Sequence, residues 1–205
     1  MSNFLSIFTQ DHLFAPSMDD MYAKNHVTFV DPEGFDNIPE GVSRPGHFKG
    51  VATIVTKLFN IIQPTNAYFG QKDAAQCCLI RRIVEDLDMD VNVVVMDTIR
   101  ENDGLAMSSR NAYLSEEERK AAPIIFRSLC TAKALHDREP NIPSAELVKA
   151  VEQTLKSEPL VSETQYITID SKATMRPIER VGKEGAILSL ACKVGSVRLI
   201  DNIIL

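Results

Sequence analysis

Apolar residues recur at helical spacing along residues 48–63, "FKGVATIVTKLFNIIQ". This spacing predicts a helix with one buried face, which Pro64 ends. "NAYFG" then predicts a short buried strand, and residues 71–89 again show a helical period. The β-branched run "VNVVVMDTI" (91–99) is typical of a strand covered on both faces. Helix, strand, helix and strand in this order predict a parallel sheet of the doubly wound type.

The pattern changes beyond Arg100. Ser115 followed by three glutamates predicts a helix N-terminus, and the helical spacing continues to about residue 137. "SAELVKAVEQTLKSEP" predicts another helix, with Ser144 as its candidate N-cap. The C-terminal segments "TQYITIDS", "GAILSLACKV" and "SVRLIDNIIL" predict strands, the last two joined in an antiparallel hairpin at Gly195-Ser196.

The first 47 residues show the weakest pattern. "LFAPSMDDMY" and "VTFVDPEG" are candidates for short strands followed by turns. The phosphate-binding turn with which a doubly wound sheet usually opens is not visible in this sequence. We therefore expect an α/β fold in which a partial Rossmann-like, doubly wound parallel sheet (residues 1–96) is followed by a smaller α+β domain (residues 97–205).

Composition argues against some classes of binding partner. The chain has 205 residues, 44% of them hydrophobic, and a formal net charge of −6 without a dense Lys/Arg block, which argues against nucleic acid. No apolar run approaches the roughly 18 residues that span a bilayer, and the N-terminus lacks a basic leader pattern. The only close cysteine pair is adjacent, without zinc spacing, so a reducing, cytoplasmic location is expected.

A candidate binding site follows the first predicted strand, in "YFGQKDAAQ" (68–76). Gly70 allows close approach to the backbone, Lys72 can meet a phosphate, Asp73 can accept from ribose hydroxyls, and Gln76 lies one turn further. Ligands bind at such carboxyl ends of parallel strands. The alternative, which residue types alone favour slightly, is that Asp73 only caps the helix and Lys72 is only solvated.

Two other stretches offer polar candidates of the same kind. In "DGLAMSSRNAYL" (103–114), Ser108, Ser109 and Arg110 could hold a polyphosphate through hydroxyls, backbone amides and a guanidinium. The alternative is a hydrophilic linker with an N-cap serine. In "SRPGHFKGV" (43–51), Arg44 could close over an anionic substrate, and His47 could equally be a structural histidine. The sequence shows no metal-ligand cluster, so Mg²⁺ would arrive with phosphates.

Taken together and in order, these stretches resemble the pantothenate synthetase (pantoate–β-alanine ligase) family of the HIGH-type nucleotidyltransferase superfamily. "LFAPSMDDMY", "LIRRIVEDL" and the terminal "VRLIDN" extend the resemblance from about residue 13 to the end. It implies a cytoplasmic, homodimeric ligase in the coenzyme A pathway, with no nucleic-acid or membrane partner. Such a ligase uses MgATP to join pantoate to β-alanine through pantoyl adenylate, releasing pantothenate, AMP and pyrophosphate.

The resemblance also implies a role for each matched position. Lys72 would face the ATP phosphates and Gly70 and Asp73 the ribose, while Gln76 would bind pantoate and Arg44 would lie in the loop that closes the site. The positions implied in ATP binding are Gly70, Gln71, Lys72, Asp73, Ile99 (beside adenine), Met107, Ser108, Ser109 and Arg110, of which Lys72, Ser108, Ser109 and Arg110 are the catalytic candidates. Met107 to Arg110 match the KMSKS loop of the superfamily.

The resemblance has three visible departures. Ala74 and Ala75 stand where the family has bulkier residues. Gln71 stands where the family often has Glu. The family's first strand and its "PTMGxLHxGH"-type turn have no counterpart, which implies an N-terminally truncated chain. The expected function is the ligase reaction; the alternatives are a catalytically impaired form, which binds nucleotide weakly or pairs with a full-length subunit, and a different nucleotidyltransferase.

Overall fold

A computed structural model describes residues 11–205, and the first ten residues, including the N-terminus without a leader pattern, lie outside the described part. The elements follow in this order: α1 (Met18–Met21), α2 (Pro39–Ser43), α3 (His47–Ile62), β1 (Asn66–Gly70), α4 (Ala74–Asp86), β2 (Asn92–Met96), α5 (Glu116–Ala121), α6 (Ile124–Arg138), α7 (Ser144–Lys156), β3 (Val161–Asp170), β4 (Ile187–Val194) and β5 (Val197–Ile204). No helix within this range is long and apolar enough to cross a membrane.

The parallel sheet consists of β1 and β2, paired from Asn66 with Asn92 to Gly70 with Met96. Helices α3 and α4 cover it through an apolar cluster that includes Val55, Phe59 and Ile80. The predicted helix, strand, helix and strand are therefore confirmed. The prediction that β2 is covered on both faces is wrong, since its ends are exposed and its centre is half-buried. Within residues 11–205 each strand of this sheet has only one neighbour.

The C-terminal part is built on an antiparallel sheet in the order β3-β4-β5. The central strand β4 is almost completely buried, and α6 and α7 contribute to the core beside it. The β4–β5 hairpin is confirmed; Gly195 makes its turn at a φ of +58°, where a side chain would be strained. The parallel sheet followed by a separate antiparallel sheet confirms the predicted α/β class.

Two helix predictions need correction. The helix predicted from Ser115 to about residue 137 is interrupted, because Pro123 lies between α5 and α6 and cannot donate a helical hydrogen bond. Its predicted start is confirmed by a capping box between Ser115 and Glu118. Ser144 is the first residue of α7 rather than its N-cap, which is Pro143.

The strands predicted before residue 35 are wrong. Ser17 and Asp20 form a capping box that begins the short helix α1 inside "LFAPSMDDMY". In "VTFVDPEG", the N–H of Val30 donates to Oγ1 of Thr53 at 3.0 Å, so this segment lies against α3 rather than beside a strand. A single side-chain hydroxyl thus replaces the ladder of backbone hydrogen bonds that a strand needs.

An apolar cluster joins the two sheets. Phe48 of α3 and Leu79 of α4 share it with Met175 and Ile187, which belong to the C-terminal part. Phe48 is 1% exposed and Leu79 is fully buried. Because these side chains are packed together, the helices α3 and α4, which cover the parallel sheet, are held against the C-terminal part.

Candidate functional site

The turn that follows β1 carries the first group of predicted site residues. Gly70 ends the strand, and Gln71 to Asp73 form a 3-10 turn that leads into α4. Asp73 occupies the N-cap position of α4 but makes no side-chain capping hydrogen bond, and its side chain is exposed. The helix-cap alternative therefore has no hydrogen bond to support it, and the carboxylate of Asp73 is accessible to a ligand.

A cleft open to solvent, with about 560 Å³ of non-protein space in and in front of it, lies between this turn, α2 and the antiparallel sheet. Its walls include Arg44, Lys72, Asp73 and Gln76, four of the predicted site residues. The antiparallel sheet contributes polar residues that were not predicted: Tyr166, Thr168, Asp170, Ser189, Asp201 and Asn202. We refer to this space as the larger cleft.

A second cleft, the smaller cleft, also has Lys72 in its wall and has about 280 Å³ of non-protein space in and in front of it. Ser108 and Arg110 line it together with Asn111 and Asp201. Lys72 lines both clefts, so the structure brings the predicted residues after β1 and those of "DGLAMSSRNAYL" to one place. Residues more than 30 positions apart in the sequence thereby line two adjoining clefts.

Other predicted residues lie outside the walls of both clefts. Ile99 is 70% exposed and Met107 is 48% exposed, while Ser109 and Gly70 are exposed at the ends of their segments. Gln71 uses its side chain to contact Asn202. Ser108 is the N-cap of the 3-10 turn Ser109–Tyr113, and its Oγ accepts from the N–H of Arg110 at 3.2 Å. Ser108 thus caps this turn, and the same residue lines the smaller cleft.

Arg44 is held beside His47. Its Nη1 lies 2.8 Å from Nε2 of His47 and 3.4 Å from Oε1 of Glu40. A guanidinium only donates, so Nε2 must accept, which requires a neutral imidazole. Burial of His47 and the charge of Arg44 hold the pKa of the imidazole below its usual range, in agreement with that geometry. The sequence did not decide the role of His47. In the structure, His47 supports the side chain of Arg44.

Glu40 connects Arg44 to the antiparallel sheet, and sequence reasoning missed it. Its Oε2 accepts from Nη2 of Arg198 at 2.6 Å and from the hydroxyl of Tyr166 at 2.9 Å. Burial alone would raise the pKa of the Glu40 carboxyl, but the hydrogen bond and charge of Arg198, with Tyr166 and Arg44, lower it overall. Burial and Glu40 raise the pKa of Tyr166, which therefore stays a donor.

We expect Glu40→Gln to lower the free energy of unfolding at pH 7 by about 1.5–3 kcal/mol, because the two guanidinium groups and the Tyr166 hydroxyl lose a charged acceptor. The pKa of Glu40 is lowered by folding, so its stabilising contribution is present above its unfolded pKa and is lost as the pH falls through the folded pKa. The difference between wild type and variant should therefore be constant near neutral pH and shrink below about pH 4.5. Urea denaturation at a series of pH values measures it.

Glu163→Gln is the matched control for this experiment. Glu163 also forms an ion pair, with Lys193 at 2.6 Å, but both side chains are exposed. Exposed pairs contribute little, so this variant should stay near wild type at pH 7. Equal losses in the two variants would contradict the role given to Glu40.

Three residues that were not predicted as site residues hold the segments that line the clefts: Arg100, Asp201 and Asn202. Arg100 forms a two-pronged ion pair with Asp201, at 2.6 and 3.0 Å, and Asn202 contacts the turn after β1. Asp201 is 3% exposed and Asn202 is 4% exposed. The sequence does carry a signal for them, since "VRLIDNIIL" places two adjacent polar residues inside an apolar strand.

The fold places the chain among α/β proteins with a parallel sheet and a separate antiparallel sheet. Its particular family is shown by comparison: the chain belongs to the pantoate–β-alanine ligase family, whose model matches residues 3–204. Membership makes it a ligase-family enzyme, as the sequence predicted.

Curated relatives agree with this assignment. The pantothenate synthetase of Chloroflexus aurantiacus is 46% identical over 196 residues, which cover 94% of this chain and 68% of that protein. The pantothenate synthetase of Fervidobacterium nodosum is 47% identical over 196 residues, with 95% of this chain and 68% of the relative covered.

Solved structures share the fold. The crystal structure of pantothenate synthetase from Thermus thermophilus matches with a TM-score of 0.91 at 40% identity, covering 98% of this chain and 72% of that one. Pantoate–β-alanine ligase from Francisella tularensis, solved in complex with βγ-ATP and β-alanine, matches with a TM-score of 0.72 at 32% identity. That match covers 99% of this chain and 68% of the other.

Proposed function

We propose that this chain catalyses the ATP-dependent condensation of pantoate with β-alanine to pantothenate, AMP and pyrophosphate. The observation that carries the proposal is the position of Lys72 between two clefts at the carboxyl end of β1. One cleft holds Ser108 and Arg110, which suit phosphate oxygens, and the other holds Arg44 and Gln76, which suit a hydroxy acid. The family membership and the nucleotide-bound relative support the same reaction.

In the first step, a carboxylate oxygen of pantoate attacks the α-phosphorus of ATP. The bond from that phosphorus to the bridging oxygen breaks, and pyrophosphate leaves with the electron pair. Negative charge grows on the phosphate oxygens, where Lys72, Ser108 and Arg110 can donate hydrogen bonds. Such fixed donors stabilise the transition state without reorganising, so no strong protein base is required.

In the second step, the amine of β-alanine attacks the acyl carbon of the adenylate. The bond from that carbon to the phosphate oxygen breaks, AMP leaves with the electron pair, and the nitrogen gives up a proton to water as the amide forms. Arg44 can hold the pantoyl part during both steps, because Glu40 and His47 fix its guanidinium at the mouth of the larger cleft. Gln76 lines the same cleft and can contact the pantoyl hydroxyls.

The remaining predicted residues keep their proposed roles in ATP binding. Gly70 and Asp73 lie at the turn where a ribose would sit, and Asp73 has an exposed carboxylate. Ile99 and Met107 offer exposed apolar surface for an adenine ring. Gln71 and Ser109 complete the set, and Ser109 is also a catalytic candidate beside Lys72, Ser108 and Arg110. We also propose that residues 1–96 and 97–205 are the two functional units, that Mg²⁺ enters as part of MgATP, and that the protein acts as a cytoplasmic homodimer.

The test is an assay of AMP release by the purified chain with MgATP, pantoate and β-alanine. We expect AMP to form only when all three are present, at a turnover on the order of 10 s⁻¹, which is typical of enzymes. Omitting β-alanine should leave ATP–pyrophosphate exchange intact, since the first step does not need the amine. Nucleotide binding without turnover would instead support the catalytically impaired alternative, and AMP release without pantoate would contradict the assigned substrate.

A further inference from the structure

The side chain of Asn202, near the end of β5, is bonded entirely to the turn that carries Lys72. Its Nδ2 donates to the backbone carbonyl of Gln71 at 3.0 Å and to that of Lys72 at 2.9 Å. Its Oδ1 accepts from Nε2 of Gln71 at 3.1 Å. Asn202 and the turn are about 130 residues apart in the sequence, so a residue of the antiparallel sheet holds the end of the parallel sheet.

The orientation of the Asn202 amide is fixed by its partners. Both backbone carbonyls can only accept, so the NH₂ group must face them and the oxygen must face Gln71. Asn202 is also buried, and losing it would leave two carbonyls without these donors. No apolar side chain of similar size can replace both donated bonds.

The neighbouring residue, Asp201, holds the other wall of the smaller cleft through Arg100. Arg100 pairs with both carboxylate oxygens of Asp201 and also donates to the backbone carbonyl of Gly104 at 3.1 Å. Gly104 belongs to the same loop as Ser108 and Arg110. Adjacent residues of a strand point to opposite faces. Asn202 can therefore contact the turn after β1 while Asp201 contacts this loop through Arg100.

We propose that Asn202 is a positioning residue that sets the place of Lys72 relative to the loop carrying Ser108 and Arg110. It acts by fixing the backbone carbonyls of Gln71 and Lys72 to the strand that also anchors that loop. The expected effect of Asn202 on catalysis rests on the proposed ligase reaction. That Asn202 holds the turn does not depend on that reaction.

The catalytic test compares Asn202→Ala with Ser128→Ala in ATP–pyrophosphate exchange. Ser128 is a buried residue of α6 that donates to the backbone carbonyl of Ile125, so the control also removes a buried hydrogen bond to a carbonyl, but outside both clefts. We expect Asn202→Ala to lower kcat/KM for ATP by about 10- to 100-fold, the effect of a misplaced reacting group. Ser128→Ala should change it by less than about 3-fold.

A double-variant cycle with Lys72→Ala separates positioning from general damage. If Asn202 acts through Lys72, then Asn202→Ala should lower kcat/KM by less than about 3-fold once Lys72 is absent. A full 10- to 100-fold loss on that background would overturn the proposal, because independent effects multiply.

A second measurement needs no activity. Hydrogen exchange of backbone amides in residues 70–76 should become faster in Asn202→Ala and stay at the wild-type rate in Ser128→Ala. Unchanged exchange in Asn202→Ala would overturn the proposal. If Asn202→Ala fails to fold, Gln71→Ala, which removes one of the three hydrogen bonds, should show faster exchange than wild type in the same peptide, and exchange at the wild-type rate would overturn the proposal. Absence of pyrophosphate exchange in the wild-type chain would contradict only the proposed reaction.

Discussion

Replacing Lys72 with alanine should lower the rate of ATP–pyrophosphate exchange by about 10²–10³-fold, the cost of losing one fixed donor to a developing negative charge. Lys72 lines the smaller cleft together with Ser108 and Arg110 and also lines the larger cleft, so its ammonium can reach phosphates bound between them. Burial raises the pKa of Asp201, and the charge of Lys72 acts in the opposite direction. The rate of radiolabelled pyrophosphate incorporation into ATP measures the first chemical step alone.

The matched control is Lys149→Ala, which removes the same charge from the exposed face of α7. It should leave the exchange rate unchanged. Lys72→Arg keeps the charge but moves it, and we expect intermediate activity because a guanidinium does not replace a compact ammonium at a shaped site. Activity of Lys72→Ala equal to that of Lys149→Ala would remove Lys72 from the proposed mechanism.

Local sequence signals predicted the part of the site near β1. The strand "NAYFG" and the helical period after it place Gly70 to Gln76 at a strand end without any knowledge of distant contacts. The hairpin after Gly195 and the N-terminus of α5 at Ser115 were equally local, since a turn and a capping box involve neighbours in the chain.

The antiparallel wall of the clefts could not be predicted in the same way. Glu40 meets Arg198 across 158 positions and Tyr166 across 126, and no periodicity links such residues. The polar pair Asp201-Asn202 stands out in the sequence because it interrupts an apolar strand, but the sequence does not show which residues the pair contacts. Buried polar groups need partners, so such an exception indicates that a contact exists without naming it.

Breaking the ion pair between Arg100 and Asp201 should have the largest effect on stability. Arg100→Met leaves the Asp201 carboxylate, whose side chain is 2% exposed, without its cation. We expect a loss of about 3–5 kcal/mol in the free energy of unfolding, as found for buried charges that lose a partner. Methionine keeps an apolar stem over the ring of Phe126, on which Arg100 stacks at 3.8 Å, so the loss reports mainly on charge. Urea denaturation at pH 7 measures it.

Asp201→Asn is the matched variant, because it removes the negative charge of the ion pair instead of the positive one. It leaves Arg100 unpaired, but that side chain is 18% exposed and can be partly hydrated, so the loss should be smaller than for Arg100→Met. Burial already raises the pKa of Asp201 against the opposing effect of Arg100, and removing Arg100 raises it further. A carboxyl whose folded pKa is raised is destabilising above that pKa, so the deficit of Arg100→Met should shrink as the pH falls and Asp201 takes up a proton. Equal losses in the two variants, or a deficit independent of pH, would show that hydrogen bonding rather than buried charge holds β5 to the loop.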